Sequence, residues 1–74
     1  MKYNYVIIIE KSKNGYSAYV PDLPGCIASA KTELTTRKLI AEAIDMHIET
    51  MLEDGDKVPQ PTSKSFELKV EVAA

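Results

Sequence analysis

The chain has 74 residues, a formal net charge of −2 and one cysteine. A chain of this length supports one hydrophobic core and leaves it marginal, because a domain this small buries only about 60% of its unfolded surface. Cys26 excludes an internal disulfide. With His47 it supplies too few soft ligands for a structural zinc, and net negative charge argues against nucleic acid as the main partner.

Residues 3–10 are dense in Tyr, Val and Ile and predict a first strand. Apolar residues on both of its faces point to a strand that is covered twice or buried in an oligomer. Lys11 to Gly15 forms a polar turn whose Asn14-Gly15 pair signals a hairpin. Residues 16–20 make the returning strand, which Pro21 ends because proline cannot donate to a ladder. Pro21-Asp22-Leu23-Pro24-Gly25 reads as a rigid loop, and 26–30 as a short third strand of small residues.

Thr32 is a suitable N-cap for a helix over 33–54, with Gly55 where a left-handed C-cap residue belongs. On that helix Thr36, Ile40, Ala43, Ile44, His47, Ile48 and Met51 share one face, while Glu42, Asp45, Glu49 and Glu53 form an acidic stripe opposite. No lysine or arginine falls between Ile40 and Asp56, whereas Lys31, Arg37 and Lys38 crowd the start. The helix dipole favours the reverse arrangement. A consistent break with a local rule points to a binding surface, so Glu42, Asp45 and Glu49, with Asp22 on the loop, are the candidate partner-binding residues.

Pro59 and Pro61 keep the following segment extended. Over 65–72, Phe66, Leu68, Val70 and Val72 alternate with Ser65, Glu67, Lys69 and Glu71, the period of a half-buried last strand. The expected architecture is one α+β domain over 1–74: a small antiparallel-type sheet in β-β-β-α-β order packed on one long helix. With no disulfide and no metal to stabilise so small a core, association into a homodimer or tetramer is the remaining remedy.

Enzyme chemistry finds little support. His47 falls on the apolar face and reads as a packed core histidine, and Cys26 reads as a small buried hydrophobe. Metal-dependent nuclease chemistry needs converging carboxylates, but the helix acids point away from the sheet. No phosphate-binding glycine loop is present, so no catalytic residue, metal or cofactor is expected. The apolar run 5–9 is too short for an export signal or a membrane span, and the chain reads as cytoplasmic.

The run Gly15-Tyr16-Ser17-Ala18-Tyr19-Val20-Pro21-Asp22-Leu23-Pro24-Gly25-Cys26 resembles the hallmark of the HicB-like antitoxins. Thr32 and the segment from Ile40 to Glu49 extend the resemblance, as do Gly55 and Val58-Pro59-Gln60-Pro61. It implies a partial ribonuclease H-like fold without the nuclease carboxylates, and a protein partner, the small basic toxin HicA, which cleaves messenger RNA. Where the family usually has Gly-Asp-Thr before the helix, this chain has Ala30-Lys31-Thr32. Longer members carry a carboxy-terminal DNA-binding domain. This chain ends at Ala74, so no direct binding to nucleic acid is expected of it. The alternative is an orphan oligomeric regulatory or ligand-binding domain that has no toxin partner.

Overall fold

The computed structural model describes residues 3–73. β1 (Ile8–Ser12), β2 (Gly15–Tyr19) and β3 (Ile27–Ala30) form an antiparallel meander in the order β1-β2-β3, followed by α1 (Glu33–Glu53). The α+β class and the packing of a small sheet on one long helix are as the sequence predicts.

β1 begins later than the 3–10 expected, and its register explains why. Ile8 pairs with Tyr19, the last residue of β2, so residues before Ile8 have no β2 partner. They are tethered instead by the Tyr5 hydroxyl, which donates to the Pro59 carbonyl. At the other end β1 continues to Ser12, leaving a two-residue connection, 13–14. Asn14-Gly15 does not act as a pair of left-handed turn residues, since no described non-glycine residue has positive φ. Gly15 instead opens β2 with φ 158°, and a Cβ there would collide with the Ala30 carbonyl oxygen on the neighbouring strand.

Ile9, Ala18 and Ala28 lie in register across the three strands, and this face meets the helix. The core consists of Ala18, Val20, Leu23, Cys26 and Ile40, all buried, with Tyr5, Ile9, Ala28, Ala43, Ile44 and Ile48 packed around it. Small alanines on β2 and β3 let α1 lie close over those two strands. On the opposite face Ile8, Tyr19 and Ile27 form an apolar row, with Ile27 71% exposed.

Leu23 is the finding in the loop. The sequence reads Pro21 to Gly25 as a rigid turn, yet Leu23 is fully buried, at 0% exposure. The backbone closes around it: Leu23 N–H donates to the Val20 carbonyl at 3.0 Å and Cys26 N–H to the Leu23 carbonyl at 3.1 Å. The loop therefore folds inward and contributes a core side chain.

Both ends of α1 follow the sequence signals. Thr32 Oγ1 accepts from Thr35 N–H at 3.1 Å, and the buried Thr36 hydroxyl donates to the Thr32 carbonyl at 2.8 Å. After Asp54, Gly55 takes φ 74°, with Gly55 N–H on Leu52 O at 3.2 Å and Asp56 N–H on Met51 O at 2.8 Å. That pair of bonds is the Schellman closure of a helix.

The expected fourth strand is not formed within the chain. Among the described residues, 65–72 belong to no strand, and Phe66, Leu68, Val70 and Val72 are 70–86% exposed. The segment keeps the alternating pattern of a strand, and Lys69 Nζ lies 3.6 Å from Glu71 Oε1, two residues on. What it lacks is a neighbouring strand. No helix among the described residues is long and apolar enough to cross a membrane.

Candidate partner-binding surface

The helix phase read from the sequence places the acids correctly. Glu42, Asp45, Glu49 and Glu53 are all exposed, whereas Thr36 and Ile40 are buried and Ala43, Ile44, His47, Ile48 and Met51 are half-buried. Glu42, Asp45 and Glu49 lie three and four residues apart, so their side chains neighbour one another on the surface. Among the described residues the last turn of α1 carries no basic side chain, and at its start Arg37 is bound to Glu33 at 2.9 Å. The stripe is therefore an exposed row of carboxylates along the carboxy-terminal half of the helix.

Beside it runs an apolar groove that sequence reasoning did not anticipate. Tyr3 and Tyr5 stack with ring centroids 5.7 Å apart, and with Ile44, Ile48 and Leu52 they line a trough whose rim includes Asp45 and Glu49. Burial, followed by the charges of Tyr3 and Asp22, pushes the Tyr5 phenol above its usual pKa, so it stays a hydrogen-bond donor at physiological pH. An apolar floor with an acidic rim suits a partner that presents an apolar anchor among cations.

Asp22 has a different role from the helix acids. Its carboxylate accepts four hydrogen bonds: from Thr62 N–H at 3.0 Å, Thr62 Oγ1 at 3.1 Å, Ser63 N–H at 3.0 Å and Ser63 Oγ at 2.9 Å. These bonds, first among them that from the Ser63 backbone, hold its pKa below the ordinary aspartate value. Asp22 thus clamps the chain after the two prolines onto the Pro21–Gly25 loop, far along the sequence from the acidic stripe. Its charge is felt by the Tyr5 phenol on the groove wall, but the hydrogen bonds it accepts all come from Thr62 and Ser63.

Cys26 and His47 do share a shallow groove, with Ile27, Ala43, Met46 and Met51. Their meeting there does not make a nucleophile. Burial pushes the Cys26 thiol above its usual pKa, whereas a reactive cysteine needs the thiolate. No group of three or more potential metal-ligating side chains converges among the described residues.

Residues 5–71 match the model of the HicB-like antitoxins of bacterial toxin–antitoxin systems. The chain belongs to the HicB-like antitoxin family. That family is one of antitoxins and not of enzymes. The chain's relatives include a UPF0150 protein of Thermoplasma acidophilum, 36% identical over 84% of this chain and 91% of that protein. Another is a 14.9 kDa protein of Haemophilus phage HP1, 45% identical over 76% of this chain. The chain spans only 42% of that phage protein. In three dimensions it is similar to a chain of a HicA3 and HicB3 toxin–antitoxin complex. The two share 33% identity and a TM-score of 0.69, over 81% of this chain and 70% of the other.

Proposed function

We propose that this antitoxin-family chain binds and neutralises a small basic HicA-type, messenger-RNA-cleaving toxin by protein contact, acting in the cytoplasm as a homo-oligomer. The observation that carries this reading is the pairing of an apolar groove with an acidic rim along α1. The similarity to a chain from a HicA3 and HicB3 complex supports the choice of partner. Glu42, Asp45 and Glu49 steer the toxin, and Ile44, Ile48 and Leu52 receive an apolar anchor. The toxin's RNA-binding cations then face carboxylates in place of phosphates. Asp22 contributes by fixing the course of the chain at Thr62 and Ser63. With net negative charge, the domain gains its affinity from protein and not from nucleic acid.

The test is stopped-flow association with a HicA-like protein at low and high salt, using wild type and the triple variant Glu42→Gln, Asp45→Asn, Glu49→Gln. Rim charges act on the encounter, so the variant should associate on the order of tenfold more slowly at low salt and lose most of its salt dependence. Dissociation should change less. An unchanged on-rate and salt slope would remove the stripe from the binding surface.

A further inference from the structure

We propose that residues 65–72 form the fourth strand of a second copy's sheet, each protomer's arm pairing with the β1 edge of its partner about a two-fold axis. This extends the homo-oligomer proposed above and is independent of the toxin reading. Four observations lead to it.

First, the arm has a strand's pattern and no strand to pair with. Phe66, Leu68, Val70 and Val72 occupy one side, 70–86% exposed, and Glu67, Lys69 and Glu71 the other. A half-buried strand needs a neighbour for its backbone groups and a cover for its apolar side.

Second, β1 is an open sheet edge with an uncovered inner face. The sheet order leaves its outer side unpaired. α1 lies over β2 and β3, and a gap lined by Ile7, Ile9, Arg37 and Ile40 remains where β1 faces the helix. An additional strand beside β1 would place alternate apolar side chains over this gap.

Third, the arm leaves the body at that same edge. Glu67 lines a shallow hollow together with Ile7, Lys11, Tyr16 and Arg37, while Leu68, Val70 and Val72 beyond it stand in the open. Donor arm and acceptor edge are therefore adjacent on one protomer. A two-fold axis at that edge satisfies both arms and both edges at once, as a closed isologous dimer requires.

Fourth, the arm is fixed at its base and carries no residue beyond it that would bend it back over the body. The Asp22 carboxylate holds it at Thr62 and Ser63, and the Tyr5 hydroxyl holds Pro59. From Thr62 to Ala74 there is no Gly, Pro, Asn or Asp to build a reversal. A rigid base and an uninterrupted arm favour exchange between copies over closure within one.

The experiment uses the whole chain. Sedimentation of the wild type at micromolar concentration should give a dimer. Val70→Pro, which removes a ladder donor and leaves the α1 core untouched, should weaken the dimer at least tenfold while circular dichroism stays that of the folded body. In a mixture of differently isotope-labelled wild-type chains, isotope-filtered NMR should show contacts between 66–72 of one chain and 7–12 of the other. A wild-type monomer overturns both this proposal and the homo-oligomer. A dimer whose inter-chain contacts lie elsewhere, or one unaffected by Val70→Pro, overturns the arm exchange alone.

Discussion

Replacing Leu23 by alanine opens a hole at the centre of the core from a position in a loop. Leu23 is 0% exposed and packs with Val20, Cys26 and Ile40. Its removal forfeits the transfer energy of the lost methyl groups and leaves a cavity, because the Pro21–Gly25 loop is held by its own backbone bonds and cannot collapse far. Leucine-to-alanine changes at such sites cost about 2–5 kcal/mol, and ~3 is a fair expectation here. A domain of this size has a total stability of roughly 4–11 kcal/mol at ~0.05–0.15 kcal/mol per residue, so this one change removes a large share of it. With a urea m-value near 1 kcal/mol/M, the unfolding midpoint should fall by about 3 M. Leu34, also a leucine but 66% exposed on α1, is the control: Leu34→Ala should stay within about 0.5 kcal/mol. Both variants should be melted in urea at one fixed protomer concentration, since association makes apparent stability depend on it. If the two midpoints coincide, the loop is not part of the core and the account of the fold is wrong.

Gly15→Ala should destabilise by more than the ~1 kcal/mol that a compatible backbone would gain, because its Cβ meets the Ala30 carbonyl; thermal melts read this directly. The Asp22 clamp should depend on pH. Its carboxyl is held below the ordinary value of 3.8, so its contribution is complete above that value and is lost as pH falls through the lower folded value. Amide signals of Thr62 and Ser63 should therefore keep their shifts from neutral pH down to the ordinary aspartate range and move only in stronger acid, whereas Asp22→Asn should show them moved at every pH. Cys26 should react with thiol reagents only as fast as the domain opens, being 3% exposed with a raised pKa; reaction at the rate of a free thiol in the native state would contradict its placement. The triple acidic variant should be as stable as wild type or slightly more so, since each relieved like-charge pair is worth about 0.2–0.5 kcal/mol.

The helix was legible in the sequence almost residue by residue. Thr32 and Gly55 bracket it, and its buried, half-buried and exposed positions follow the 3.6 period from Thr36 to Met51, because one face meets a core and the other meets water. Leu23 was not legible: periodicity carries no information inside a five-residue loop, and Pro and Gly signal a turn without saying which side chain turns inward. The start of β1 was misplaced because propensity alone extends it to Tyr3, while pairing stops where β2 stops. The alternation over 65–72 points to a half-buried strand that the structure does not form: a strand also needs a neighbour, and among the described residues none is supplied. The acidic stripe was visible at once. The groove beside it was not, since Tyr3 and Tyr5 are far in sequence from Ile44, Ile48 and Leu52. The same distance hid the role of Asp22, whose partners lie 40 and 41 residues away.

The central claim is neutralisation of a toxin by contact, and one measurement addresses it most directly. A purified HicA-like ribonuclease is incubated with a messenger RNA substrate while this chain is titrated in, and cleavage is followed against the molar ratio. Cleavage should stop near the stoichiometric ratio with wild type, and at low salt the triple acidic variant should reach the same end point more slowly. Cleavage that continues undiminished at excess wild-type protein, with a toxin shown to be active and the chain shown to be folded, would contradict it.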